Sequence, residues 1–132
     1  MRLSGLRTII ADDSILKAID IRKALEFNGI IDVNIVSSQD KLWNEIYQGR
    51  EGGRPVGLIV TDMHYPLKAG ADPDEEAGAK LIDRLSREGI NIPVIICSSR
   101  NYRIPEALGS VWYNDLTDIR FEFQEVLKSY RG

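Results

Sequence analysis

Aspartates stand directly after two short apolar runs of this chain. Asp12-Asp13-Ser14 follows Thr8-Ile9-Ile10-Ala11, and Thr61-Asp62-Met63-His64-Tyr65-Pro66 follows Leu58-Ile59-Val60. A further run, Val94-Ile95-Ile96-Cys97, leads into Ser98-Ser99-Arg100, and Val111-Trp112-Tyr113 leads into Asn114-Asp115. If these runs are neighbouring strands, Asp12, Asp13 and Asp62 converge at one edge of a sheet. Carboxylates that close repel, so either a pKa rises or a cation sits among them. Hard oxygen donors of this kind suit Mg²⁺, which keeps several waters and pairs with phosphate oxygens. One aspartate alone would be read as a helix cap. Three, with a hydroxyl after a further strand, read as a site.

The elements that must position them alternate regularly. There are five β-rich apolar runs, the four above and Val33-Asn34-Ile35-Val36, and several lack the polar alternation of a half-exposed strand, as strands covered on both faces do. Helical spacing fills the intervals: 14–28 around Ala18, Ile21 and Leu25, 38–48 around Leu42, Trp43, Ile46 and Tyr47, and 77–88 around Leu81, Ile82 and Leu85. A last helix over about 116–130 carries Ile119, Phe123, Val126, Leu127 and Tyr130. Asn28-Gly29, Glu88-Gly89 and the glycine-rich stretch from Gly49 to Pro55 punctuate the units. This order predicts an α/β fold, a doubly wound five-stranded parallel sheet flanked by helices. In such a sheet ligands gather at the carboxyl ends of the strands, beside the switch in strand order.

Bulk properties narrow the function classes. The 132 residues suit a single domain over 1–132, and the formal charge of -3 has the wrong sign for a domain that tracks a nucleic-acid backbone. Cys97 and His64 are the sole cysteine and histidine, which excludes an intramolecular disulfide and a cysteine/histidine zinc site. No secretory leader is visible at the N-terminus and no apolar run approaches membrane-spanning length, so the expected setting is the cytoplasm, away from membranes.

Taken together, the acidic pair Asp12-Asp13, Asp62 followed by Pro66, Gly78-Ala79-Lys80-Leu81-Ile82, and Pro93-Val94-Ile95-Ile96-Cys97-Ser98 resemble the receiver domain of two-component response regulators. That resemblance implies the flavodoxin-like, CheY-like fold and a stand-alone receiver in a phosphorelay. It implies Asp62 as phosphoacceptor and Ser98 as the hydroxyl that hydrogen-bonds the phosphoryl group. It implies Mg²⁺ held by Asp12, Asp13 and Asp62 with the backbone carbonyl of His64. The implied partners are a sensor histidine kinase or phosphotransfer protein and a downstream effector protein, with no direct nucleic acid, no membrane, and room for a homodimer. Chemistry beyond self-phosphotransfer and autodephosphorylation is not implied.

The chain departs from the resembled pattern in three places. The family carries a lysine at the end of its fifth strand, where this chain has Asn114. Asn114 is the positional equivalent, and Lys68 is a candidate substitute. The stretch Leu67 to Ala77 is long, and its position suggests that it overlies the pocket. The stretch from Ser98 to Asn114 is short and predicts a shortened or missing fourth helix.

Three function classes are thereby set side by side. A switching receiver accounts for the acidic triad and Ser98. A pseudo-receiver, a phosphorylation-independent interaction module, accounts for the missing lysine. An independent enzyme finds little support. A flavodoxin-like nucleotide site would want Ser, Thr or Gly after the first strand, where Asp12-Asp13 would repel phosphate. A haloacid-dehalogenase-like site would want an aspartate where Ser14 stands, and no GxxxxGK[ST] is present.

Overall fold

A computed structural model describes residues 3–131. β1 (Thr8–Ala11), β2 (Val33–Val36), β3 (Leu58–Thr61), β6 (Val94–Ser98) and β7 (Gly109–Trp112) form one sheet in the order β2-β1-β3-β6-β7. Every neighbouring pair is parallel, with Thr8 opposite both Val33 and Leu58, and Ile95 opposite Val60 and Gly109. The expected doubly wound sheet is therefore present.

Successive side chains of β1 point to opposite faces, and each face has its own core. Ile9 and Ala11 join Leu42, Trp43 and Ile46 of α2 (Gln39–Glu51) and Leu81 and Leu85 of α3 (Ala77–Arg87). Ile10 joins Ala18, Ile21 and Leu25 of α1 (Ile15–Phe27) and Phe123 of α4 (Ile119–Leu127). The helices are laid down by caps. Ser14 accepts the Lys17 amide at the start of α1, and Asp118 accepts the Arg120 amide at the start of α4. The second cap explains why the last helix begins later than the spacing alone predicts. Asn114 first builds a turn, accepting the Leu116 amide at 2.7 Å and donating to Trp112 and Thr117.

Among the described residues no helix joins β6 to β7. The chain turns at Ile104–Ala107 and enters β7 once the Leu108 amide reaches the Val94 carbonyl at 2.8 Å. The shortened connection thus removes the fourth helix entirely.

The long stretch after Pro66 differs from expectation. It folds as a small antiparallel hairpin, β4 (Tyr65–Pro66) with β5 (Pro73–Asp74). Its tip docks on the first turn of α2, where the Asp40 amide donates to the Leu67 carbonyl at 2.9 Å and the Asp40 carboxylate accepts the Ala69 amide at 3.2 Å. The capping needs of α2 hold the tip there, not over the acidic edge of the sheet.

Candidate functional site

The parallel register carries Ala11 level with Thr61, so the residues just beyond β1 and β3 leave the sheet side by side. Asp12, Asp13 and Asp62 each offer a carboxylate oxygen within 4.8 Å of the others. Asp12 is buried, and its Oδ1 accepts the Ser14 amide at 2.9 Å, so it shapes the β1–α1 turn from inside instead of capping the helix. Asp13 is exposed, and among the described residues it makes neither ion pair nor hydrogen bond. Asp62 lies between these extremes; its Oδ1 accepts the Met63 amide at 2.8 Å.

The loop after β3 is held by close packing and by a buried polar chain. Gly78 opens α3 directly against it, its amide donating to the Met63 carbonyl at 3.1 Å. A β-carbon at position 78 would lie 2.8 Å from the Asp62 carbonyl oxygen, so only glycine fits this approach. Behind the loop the fully buried Tyr65 hydroxyl receives Gln39 Nε2 at 3.1 Å and meets Thr61 Oγ1 at 2.9 Å. Thr61 Oγ1 in turn donates to the Asp62 carbonyl at 2.8 Å. Burial, opposed by those Thr61 and Gln39 contacts, pushes the Tyr65 phenol up to about 12, so it stays a neutral hydrogen-bonding group.

A cavity of about 570 Å³ opens beside Asp62. Ser98, buried at the end of β6, lines it together with His64, Glu76, Arg100 and Tyr102. The structure thus brings together the sequence-predicted Asp62, Ser98 and His64 in one cavity and sets Asp12 and Asp13 against Asp62. Of the 67–77 stretch, Glu75 and Glu76 reach the cavity wall, whereas Asp74 pairs with Lys80 at 2.6 Å.

Neither expected substitute for the missing lysine occupies the site. Asn114 spends its side chain inside its own turn, and Lys68 is exposed near the hairpin tip. The cation comes instead from α1. Lys17 Nζ lies 2.9 Å from Asp12 Oδ2 and 3.1 Å from Asp62 Oδ1, with its side chain only 9% exposed. It also stands 5.8 Å from the centre of the Tyr113 ring, on the β7 side of the pocket. Burial opposes the ammonium, but Asp12 and then Asp62 outweigh it, so the lysine pKa is raised. For Asp12 burial is the stronger influence and lifts its carboxyl, with Lys17 pulling the other way.

Sequence reasoning missed Lys17, although a signal existed. Lys17 stands four residues before Ile21 and seven before Ala24, on the stripe that α1 buries, where an amphipathic helix calls for an apolar residue.

The donor set suits a divalent cation. It consists of hard oxygens, one of them on the freely exposed Asp13, and the three carboxylates would be balanced in charge by one ammonium and one divalent ion.

No protein-family model and no curated protein matches the chain. Solved structures do. The chain aligns with response regulator RPA3017 in red light signaling of R. palustris at a TM-score of 0.69 and 15% identity, covering 96% of this chain and 94% of that one. It aligns with the Mn²⁺-bound form of response regulator Rcp1 at 0.64 and 14%, covering 93% and 91%. It aligns with the receiver domain of the histidine kinase CKI1 from Arabidopsis thaliana, complexed with Mg²⁺ and BeF3⁻, at 0.61 and 17%, covering 96% and 92%. Against RcsB, whose dimers were solved bound to two parallel DNAs, the TM-score is 0.65 at 21% identity, and the chain spans 62% of that protein's length. The fold is that of response-regulator receiver domains.

Proposed function

We propose that this chain, having the receiver fold, acts as a signalling receiver that takes a phosphoryl group on Asp62 and thereby changes its protein contacts. The observation that carries the reading is the meeting of Asp12, Asp13, Asp62 and Ser98 at the carboxyl edge of one parallel sheet, beside a cavity large enough for a phosphoryl group. Its phosphodonor would be a sensor histidine kinase or phosphotransfer protein in the cytoplasm, and its output a downstream effector protein.

Asp62 Oδ1 is engaged by the Met63 amide and Lys17, which leaves Oδ2 as the nucleophile. Oδ2 attacks the phosphorus of a phosphohistidine. The donor reacts with its other ring nitrogen protonated; the P–O bond forms as the P–N bond breaks, that bond's electron pair stays on the ring nitrogen, and the imidazole leaves neutral. Asp13 and Asp62, the His64 carbonyl, and Asp12 directly or through water would hold Mg²⁺, which when bound would supply positive charge against the repulsion between carboxylate and phosphoryl group. Ser98 then donates its hydroxyl to the phosphoryl group, drawing the β6–β7 connection toward Asp62.

The pseudo-receiver reading retains one observation in its favour, the absence of a cation from the end of β7, where Asn114 stabilises its own turn. Incubation with Mg²⁺ and acetyl phosphate, followed by intact mass measurement in mild acid, separates the two. One phosphoryl mass added to the natural chain and none to Asp62→Asn is the expected result. No added mass, together with no response to beryllofluoride, leaves the fixed interaction module.

A further inference from the structure

A lysine inside an α/β domain needs a reason, because taking an ammonium out of water costs several kcal/mol unless partners compensate. Lys17 is buried among Asp12, Asp62 and the Tyr113 ring. Neutralising Asp12 would by itself justify one contact. The second contact, to Asp62, is different in kind, since that side chain is 15% exposed and faces the cavity that Ser98 lines. A purely structural counter-ion to Asp12 has no need to reach it.

We propose that Lys17 is the cation that binds the transferred phosphoryl group, delivered from the first turn of α1 and not from the fifth strand of the sheet. This rests on the receiver reading above. An acyl phosphate on Asp62 replaces a single negative charge with a group of about -1.5 to -2 at neutral pH, beside two further carboxylates. Lys17 already touches the carboxylate that would carry it. A modest shift of a flexible side chain moves one N–H from Asp62 Oδ1 to a phosphoryl oxygen while another stays on Asp12. Asp12 thereby acts as the positioning residue that aims the ammonium. Asn114 is free to shape its turn because the charge arrives from α1.

The test compares two affinities in the same protein, for Mg²⁺ alone and for beryllofluoride in saturating Mg²⁺, by calorimetry. Trp112 serves as a second reporter, because its indole donates to the Ser99 carbonyl at 2.9 Å, next to Ser98. The variants are Lys17→Met and Lys17→Gln; the amide of the latter keeps a donor for Asp12 and guards against loss of folding. Expected is a beryllofluoride affinity about 10-fold weaker or more in both variants, about 1.4 kcal/mol, with Mg²⁺ affinity unchanged or stronger, since a positive charge has left the pocket. Equal weakening of both affinities makes Lys17 a structural strut, and strengthening of both makes it a plug; either overturns the proposal. Unchanged affinities in a natural chain that does bind beryllofluoride overturn it alone. A natural chain that binds neither ligand overturns the receiver reading and this proposal together.

Discussion

Asp12 is buried between the Lys17 ammonium and the Ser14 amide, and its Oδ2 has no hydrogen-bond partner besides that ammonium among the described residues. Asp12→Ala therefore leaves a buried charge with one partner fewer and an amide unmet. A loss of about 2 kcal/mol in urea unfolding is expected. Tyr65→Phe removes one link of the buried chain from Gln39 to Asp62, but Gln39 keeps the Ala77 carbonyl and Thr61 keeps the Asp62 carbonyl. Its cost should be smaller, about 1 kcal/mol, read from the same unfolding curves. Cys97 is the opposite case of a reactive group made inert. Burial pushes its thiol up to about 12, so at pH 8 the thiolate is scarce, and a disulfide reagent should label the folded chain only as it unfolds. The placement of Asp12, Asp13, Asp62 and Ser98 at the carboxyl edge of the sheet was legible in the sequence because they stand at or just beyond the ends of apolar strands. Lys17 was not legible in this way, because it lies inside the first turn of α1 and its target is fixed only when α1 packs on the sheet.

At the scale of elements, the approach of α3 to the β3 loop decides where Asp62 sits. Gly78→Ala would drive a methyl to 2.8 Å from the Asp62 carbonyl, and backbone on both sides leaves little room to yield. The expected result is a loss of about 1–3 kcal/mol and weaker Mg²⁺ binding in calorimetry. Gly109 plays the same part for α4, since a β-carbon there would stand 2.5 Å from Val126. The sequence marked Gly78 as a helix opening, but not the close packing that demands it. The β4–β5 hairpin escaped notice for a related reason. Its strands are two residues each, too short for any periodicity, and it is held by docking on α2 through Asp40.

The described residues are built around one five-stranded sheet with a core on each face, and β1 contributes to both through adjacent residues. Because every helix packs on the same five strands, the two cores should melt together. Ile9→Val and Ile10→Val, one on each face, are each expected to lower the unfolding free energy by about 0.5–1.5 kcal/mol, seen as a lower midpoint of a single denaturation transition with no change in slope. Two separate transitions in either variant would contradict this. Among the described residues no helix is long and apolar enough to cross a membrane.

The sequence by itself determined the alternation of strands and helices, the parallel doubly wound sheet, a connection between β6 and β7 too short for a full helix, and the residues that follow each strand. All of these are local: runs of apolar residues, turn residues and connection lengths. Tertiary structure alone decided that the pocket's ammonium comes from α1, that the long stretch forms a hairpin docked on α2, and that Asn114 serves its own turn. Those outcomes depend on which helix faces lie against the carboxyl edge of the sheet. A lysine's reach across that edge is set by packing between segments far apart in the chain, which no spacing along it records.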